Sequence, residues 1–263
     1  MSAPLEVNRC DISTNYIPKA SPNLCKRGDL KLNKFKNLPS CKAIINWRFI
    51  DPCFSWFARR QLLNKDFTII SNNCVAGGIY HKFGLKYNSP TVGTFFFADD
   101  FIRFLENIEY YVKLPLKFTD VSKHPENSKR LKWYPIGVLD DVEVHFFHYK
   151  TEREALEKWS RRVKRVNLNN LFVVFVDRGF KAEFTAECFK RFDALKFEHK
   201  VLFSFRSLAS KFAVLVDDFA GVGNMGESTQ SRNYEKNLDL IKWLNGIPNF
   251  LKPNKIKEFN QNV

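Results

Sequence analysis

Apolar and polar positions alternate along this chain in short blocks that predict strands and helices in turn. The strand-like blocks lie at 67–71, 95–97, 142–149, 171–176, 201–205 and 213–216, and the helical ones at 51–64, 78–83, 99–113, 151–166 and 234–244. The block at 171–176 (LFVVFV) is apolar throughout, which is typical of a central strand covered on both faces. Strands that alternate with helices favour an α/β fold. We therefore predict a single α/β domain, a three-layer sandwich with a mixed, partly parallel sheet.

Two of the predicted helices begin at recognisable capping residues. Thr151 and Glu154 have the spacing of a capping box, in which each side chain binds a backbone N–H at the start of the helix. Asp99 and Asp100 open the helix at 99–113 and are interpreted as its cap, because Asp is a preferred N-cap residue.

Composition divides the 263-residue chain into an arm, a domain and a tail. Residues 1–45 are rich in Asn, Pro, Ser and Lys and show weak periodicity, which predicts a loosely ordered N-terminal arm. Residues 46–248 carry the α/β pattern, and residues 249–263 form a polar, basic tail. The central part is long enough to bury a substantial core.

The sequence shows neither a membrane span nor a secretory signal. No apolar run approaches the roughly 20 residues that cross a bilayer, and the N-terminus lacks a basic region followed by an apolar one. The six cysteines contain no C-x-x-C pair and no zinc-ligand spacing, so we expect reduced thiols, no disulfide framework and no metal. These features predict a cytoplasmic protein.

The formal net charge of +14 predicts anionic partners. Phosphorylated substrates, anionic lipids and nucleic acid would all be attracted to such a surface. Because no zinc-finger, RNP-like or helix-turn-helix signature occurs, we expect no nucleic-acid partner. The helix at 51–64 concentrates aromatic and basic side chains, namely Phe54, Trp56, Phe57, Arg59 and Arg60. It is either a core-packing helix or an interfacial one that associates peripherally with an anionic membrane.

Polar side chains follow several of the predicted strands. They are Asn72, Asn73 and Cys74 after 67–71, His148 at the end of 142–149, Asp177 and Arg178 after 171–176, and Asp217 and Asp218 after 213–216. If these strands are parallel, the residues gather at the carboxyl edge of the sheet, where α/β proteins bind their ligands. This edge is therefore the predicted site.

Three of these residues have the chemistry of a catalytic triad. Cys74 would be the nucleophile, His148 the base and Asp177 the group that orients the histidine. The amides of Asn72 and Asn73, with backbone N–H groups at the following helix N-terminus, would stabilise an oxyanion. The alternative is that Cys74 is a small buried apolar residue.

The helix after Thr151 carries a basic face. Its members, at three- and four-residue spacings, are Lys158, Arg161, Arg162 and Arg165. We predict that Lys158, Arg161 and Arg165, with Arg178 near the strand edge, bind a phosphorylated substrate. The alternative is a solvated basic face with no ligand.

Two further patterns are set aside. His145 and His148 would point to opposite faces of a strand, so we expect no shared metal there, and His145 is interpreted as structural. Residues 221–226 match G-x-G-x-x-G, but too little chain follows to complete a βαβ unit. We interpret them as a glycine-rich loop and predict no dinucleotide and no other cofactor.

The longest motifs resemble a bacterial protein family. They are DFTIISNNCVAGGIYHKFGLKYNSPTVGTFF, YPIGVL, HFFHYKTEREALEKWSRRVKRVN and LFVVFVDR, within about 65–246. The sequence is similar to exopolysaccharide- or capsule-biosynthesis proteins that are catalogued as a domain of unknown function. The resemblance implies an α/β domain in surface-polysaccharide assembly. The motif residues Asn72, Asn73, Cys74, His148, Arg161 and Asp177 are all present, whereas members usually have Trp where this chain has Val75.

The site and the resemblance together predict a transferase that acts on a surface-polysaccharide precursor, with acyl transfer through Cys74. Its partners would be an activated acyl or sugar donor and a glycan precursor. Two alternatives stay open. One is a glycosyl or phosphoglycosyl transferase without a covalent intermediate, and the other is a non-catalytic glycan-binding or assembly protein.

Overall fold

The structure is a computed structural model that describes residues 51–125, 127, 133–177, 185–204, 210–215 and 237–251, without the side chains of 51–55 and 215. The predicted arm at 1–45 lies outside the described residues. So do most of the predicted tail, Arg178, the pair Asp217 and Asp218, and the glycine-rich loop at 221–226.

The described chain contains both helices and strands, as predicted, although they do not alternate strictly. The strands are β1 (Thr68–Ser71), β2 (Lys117–Thr119), β3 (Ile136–Leu139), β4 (Val142–His145), β5 (Leu171–Val176), β6 (His199–Ser204) and β7 (Ala213–Leu215). The helices are α1 (Asp51–Arg60), α2 (Val75–Lys82), α3 (Ala98–Glu106), α4 (Ile108–Tyr111), α5 (Glu152–Val163), α6 (Ala186–Ala194) and α7 (Leu240–Leu244).

Parallel and antiparallel strands are divided between two sheets. One sheet has the order β1-β5-β6-β7 and is parallel throughout, whereas the other has the order β2-β3-β4 and is antiparallel. All six residues of β5 are buried, and the strand pairs with β1 and β6 on its two sides. The central strand predicted at 171–176 is therefore confirmed.

The parallel sheet is covered on both faces, so the chain forms a three-layer α/β domain. Phe172 and Val174 of β5 pack in a core with α1, α2 and α7. Val173 and Phe175, which point the other way because side chains alternate along a strand, pack in a second core with α3, α5 and α6. The antiparallel sheet joins this second core through residues such as Val144.

Two predicted strands are shorter than the sequence pattern suggested. The block at 142–149 ends as a strand at His145 and lies in the antiparallel sheet, so His148 belongs to the loop that follows. The block at 95–97 makes only a single bridge, between Phe95 and His145. Most residues of these two blocks are buried, as their apolar pattern suggested. They are buried by packing against a neighbouring segment, and not by strand pairing along the whole block.

Helix ends follow local chemistry. The predicted helix at 99–113 breaks at Asn107, whose backbone angles (φ −139°, ψ 46°) are not helical, and gives α3 and α4. At the start of α5, Thr151 Oγ1 accepts a hydrogen bond from Glu154 N at 3.2 Å, as the capping box predicts. In a capping box the Glu154 carboxylate would accept from Thr151 N, but here Glu154 Oε2 accepts from Lys150 N, one residue earlier, at 3.1 Å.

Candidate active site

The carboxyl end of β1 is fastened to that of β5 by one side chain. Asn72 Nδ2 donates to Val176 O at 2.9 Å, and Asn72 Oδ1 accepts from Val176 N at 3.0 Å. The amide thus extends the ladder between the two strands where their backbones separate. These bonds position the turn that follows, and the predicted role of Asn72 in binding substrate stays a prediction.

The turn between β1 and α2 is held by Ser71 and Asn73. Asn73 Oδ1 accepts from Val75 N at 3.0 Å, and Ser71 Oγ accepts from Ala76 N at 3.2 Å. Ser71 Oγ also donates to Asn73 O at 2.6 Å. Two of the helix N–H groups that were predicted to stabilise an oxyanion therefore have partners inside the turn, as does the Asn73 amide oxygen.

Cys74 occupies the N-cap position of α2, and its side chain faces His148. The distance between Cys74 Sγ and His148 Nε2 is 2.9 Å. Cys74 is half-buried and His148 is exposed, so the pair is open to solvent. Cys74 is therefore not a fully buried apolar residue, and its side chain is in contact with that of His148. The roles of nucleophile and base stay a prediction.

A segment at 91–97 carries His148 to this position. His145 and Phe95 exchange two backbone hydrogen bonds of 2.9 and 2.8 Å, and His148 N donates to Gly93 O at 3.3 Å. Gly93 has φ +78°, a conformation that favours glycine, and a Cβ there would lie 3.1 Å from the Tyr149 ring. Phe96 N, in turn, donates to Asn72 O at 2.9 Å, which ties the same segment to the cysteine turn.

Asp177 lies at the same edge of the parallel sheet, directly after the residue that Asn72 holds. Its backbone N donates to Phe203 O at 2.9 Å, and its carboxylate accepts a hydrogen bond from Ser204 Oγ. Ser204 was not a predicted site residue, because it lies inside the strand predicted at 201–205, whereas the structure places it at the end of β6 beside β5. The contacts described for Asp177 run to β6, so its role as the orienter of His148 stays a prediction.

The basic face of α5 divides into different environments. Lys158 Nζ lies 2.7 Å from Glu154 Oε1, and Arg161 is exposed, with a nitrogen 3.9 Å from Glu157. Arg162 is buried and donates from Nη1 to Val92 O at 2.7 Å and to the hydroxyl of Tyr149. Sequence analysis placed Arg162 on this face but did not select it, because burial is not visible in helical spacing.

A second polar cluster, which the sequence analysis missed, lies between α3 and β4. The fully buried carboxylate of Asp100 is 2.6 Å from Lys123 Nζ and 2.7 Å from His124 Nε2, and it accepts from Glu143 N at 3.0 Å. Burial opposes ionisation of Glu143, but contacts with His145, Ser122 and Lys123 N outweigh it and lower its pKa to about 2. The residues at 120–125 are thereby fastened to the antiparallel sheet.

His145 is structural, as predicted, and is enclosed by aromatic rings. The Phe95 and Phe97 rings lie 5.1 and 5.0 Å from its ring centre, and burial lowers its pKa. Its Nε2 is 3.4 Å from Glu143 Oε2, and neither ring nitrogen has a hydrogen-bond partner among the described residues. Among the described residues, no cluster of three or more His, Cys, Asp or Glu side chains is arranged to hold a metal ion.

The fold and the Cys74–His148 pair define an α/β protein with a candidate cysteine site at the carboxyl edge of a parallel sheet. The chain belongs to the family described as domain of unknown function DUF1919, whose model matches residues 45–245. It is also similar to an uncharacterized protein of Haemophilus influenzae. The two are 35% identical over 193 residues, which span 71% of this chain and 88% of that protein.

Proposed function

We propose that the protein is a transferase that uses Cys74 as a nucleophile to move an acyl group onto a surface-polysaccharide precursor. The observation that carries this proposal is the 2.9 Å approach of Cys74 Sγ to His148 Nε2 at a solvent-open edge of the sheet. A thiol within reach of an imidazole is the arrangement that activated cysteine nucleophiles share.

The surroundings of Cys74 favour its thiolate. An imidazole is in contact with its sulfur and can take up the thiol proton. The N–H groups of Val75 and Ala76 at the start of α2 have partners inside the turn, so the contact with His148 carries the argument. His148 Nε2 accepts the thiol proton as Sγ attacks the carbonyl carbon of an acyl thioester. The thioester C–S bond then breaks, and the leaving thiolate takes the proton from His148.

The second half of the reaction regenerates the enzyme. His148 Nε2 accepts the proton of a sugar hydroxyl as that oxygen attacks the acyl group on Cys74. The bond between the acyl carbon and Sγ breaks, and the proton returns from His148 to the sulfur. The products are an acylated sugar and the free Cys74 thiol.

The polysaccharide setting rests on the resemblance of the long motifs to exopolysaccharide- and capsule-biosynthesis proteins. The donor would be an activated, negatively charged molecule, because the chain carries a formal charge of +14. Precursors of such glycans are built at a membrane, so we place the protein in the cytoplasm, in peripheral contact with the inner membrane face. The structure itself shows no helix, in its described part, that is long and apolar enough to cross a bilayer.

The test is a covalent adduct on one residue. We expect incubation with acetyl-coenzyme A, followed by acid quenching and peptide mass spectrometry, to show an acetyl group on Cys74. Cys74→Ala should abolish the adduct. His148→Gln should slow its formation by about 100-fold, the lower end of the effect of a general base.

His81→Gln is a matched control, since His81 is exposed near the other end of α2 and makes no contact with the thiol. Acetylation that is unchanged in His148→Gln would contradict the proposal. Turnover of a nucleotide sugar by the Cys74→Ala variant would instead support glycosyl or phosphoglycosyl transfer without a covalent intermediate. Glycan binding without turnover of any donor would support the non-catalytic alternative.

A further inference from the structure

Three arginines gather near the C-terminal end of α5 with little compensating negative charge. Arg162 is 5% exposed, its guanidinium lies over the Tyr87 ring at 5.1 Å, and its described hydrogen bonds go to Val92 O and the Tyr149 hydroxyl. A buried arginine ordinarily pairs with a carboxylate. In the described part of the chain, no carboxylate oxygen lies within 4 Å of Arg162.

Arg165 reinforces this excess of positive charge. Its Nε is buried and makes no hydrogen bond. Burial and the neighbouring charges of Arg161 and Arg162 lower the pKa of its guanidinium, which means that its charged form is held in an unfavourable environment. Among the described residues it also has no carboxylate within 4 Å, and Arg161 has only the exposed Glu157 at 3.9 Å.

The negative end of the α5 dipole accounts for basic residues here, but not for a buried donor, Arg165 Nε, that has no acceptor among the described residues. We propose that Arg161, Arg162 and Arg165 form a binding site for a phosphate or diphosphate group. The guanidinium fork binds two phosphate oxygens at once, and an anion would supply both the compensating negative charge and an acceptor for Arg165 Nε.

The proposed site differs in one residue from the set Lys158, Arg161 and Arg165 that the sequence predicted to bind a phosphorylated substrate. Lys158 pairs with Glu154 at 2.7 Å, and its Nζ lies 5.4 Å from the centre of the Tyr149 ring. Because its charge already has these partners, we leave Lys158 out of the proposed site. Arg162 takes its place, since it is buried beside the unpaired charge of Arg165. The site does not depend on the chemistry proposed for Cys74.

The test uses pyrophosphate as the probe and thermal unfolding and titration calorimetry as the measurements. We expect pyrophosphate to bind the full-length protein and to raise its Tm, as any ligand of the folded state does. Arg161→Gln and Arg165→Gln should each weaken binding by about tenfold or more, the effect of removing a charge-assisted hydrogen bond. Arg162 is left intact because its side chain also holds Val92.

Arg165→Gln has a second signature. Without pyrophosphate it should be at least as stable as the wild type, because it removes a half-buried charge that has no carboxylate partner among the described residues. With pyrophosphate it should gain less in Tm than the wild type does. A purely structural arginine would give the opposite result, a loss of stability that pyrophosphate does not affect.

Lys164→Gln removes the same charge from an exposed neighbour and serves as the control. We expect it to bind pyrophosphate within about twofold of the wild type, at fixed ionic strength. Equal losses in Lys164→Gln and Arg165→Gln would reduce the effect to general electrostatics and overturn the site, as would no binding by the wild type at millimolar pyrophosphate. Cys74→Ala should bind normally, so failure of this site and failure of the proposed acyl transfer are separable.

The source of the phosphate group is resolved by comparing two probes. ADP represents soluble nucleotide-type donors, and a prenyl diphosphate in detergent represents lipid-linked ones. Arginine-dependent binding of either supports the site, and the tighter of the two names the donor class. Binding of both that is insensitive to Arg161→Gln and Arg165→Gln would overturn the site.

Discussion

At the scale of single residues, the central question is whether Cys74 differs chemically from the other cysteines. Cys74 is half-buried beside His148, whereas Cys188 is buried in the core on α6. We expect iodoacetamide at neutral pH to label Cys74 faster than any other cysteine, because a thiolate reacts and a thiol does not. Site-resolved mass spectrometry over a time course measures both rates in one sample.

The same experiment contains its own control. Cys188 should label slowly in the folded protein and at the rate of an ordinary thiol in urea, whereas the advantage of Cys74 should disappear in urea. His148→Gln should reduce the rate at Cys74 without changing that at Cys188. Labelling of Cys74 that is equal to or slower than that of Cys188 in the folded protein would count strongly against a nucleophilic role.

The Asn-Asn-Cys motif shows how far residue types can be interpreted without a structure. Its polar groups after a strand predicted a functional site, and the structure shows a hydrogen-bonded turn after β1 at this place. The different roles of the two asparagines could not be predicted, because the partner of Asn72 is the backbone of Val176, 104 positions away in the chain. Asn73 has a local partner, Val75 N two residues further on, and this contact follows from the known tendency of Asn side chains to bind their own backbone in turns.

At the scale of elements, His148 lies next to Cys74 as expected, but the strand arrangement from which this was predicted is not the one observed. The sequence rule assumed that the block at 142–149 was parallel to 67–71, but β4 is antiparallel to β3 and belongs to the other sheet. His148 reaches Cys74 because the 91–97 segment joins the two sheets, through the Phe95–His145 bridge and the Phe96–Asn72 hydrogen bond. Apolar periodicity gives the position of a strand, whereas its sheet depends on such distant pairing.

The end of α6 offers a test of how a strand residue stabilises a helix. Lys200 of β6 is 1% exposed, and its Nζ donates to three carbonyls at the end of α6. These are Phe192 O at 3.0 Å, Asp193 O at 2.7 Å and Leu195 O at 2.6 Å. Burial lowers the pKa of Lys200, so part of the gain is offset by the cost of desolvating its charge.

We expect Lys200→Met to lower the free energy of unfolding by about 1.5–3 kcal/mol, the range for hydrogen bonds that involve a charged group. Urea denaturation followed by circular dichroism measures the change. Lys196→Met, at an exposed position in the same connection, should change stability by less than about 0.5 kcal/mol. Wild-type stability of Lys200→Met would mean that desolvation cancels all three hydrogen bonds.

At the scale of the whole molecule, positive charge is combined with exposed apolar side chains on one part of the surface. In α1, Ala58 is buried against the core, whereas Trp56 is 52% and Phe57 is 62% exposed. Leu63, which follows the helix, is 85% exposed, and the Arg60 guanidinium lies 4.6 Å from the centre of the Trp56 ring. The helix therefore packs on the core with one side and presents aromatic and basic groups on the other, which is typical of an interfacial helix.

We predict that this surface binds anionic membranes reversibly. Each Lys or Arg near such a membrane contributes about 1 kcal/mol, and the attraction is screened beyond a Debye length of about 10 Å at 0.1 M salt and about 3 Å at 1 M. Co-sedimentation with phosphatidylglycerol vesicles should therefore be strong at low salt and largely lost at high salt. Vesicles of neutral phosphatidylcholine should bind little of the protein at any salt concentration.

A double variant distinguishes the proposed surface from the overall charge. Trp56→Ser with Phe57→Ser should weaken binding at every salt concentration, because it removes the apolar contact and leaves the net charge unchanged. Trp133→Ser is the matched control, since Trp133 is similarly exposed but lies in the segment before β3. If the double variant and the control bind alike, attraction comes from the net charge and not from α1.

The salt series has two further outcomes. Binding that does not change with salt concentration would indicate hydrophobic insertion, and no binding at low salt would remove the membrane from the proposed function.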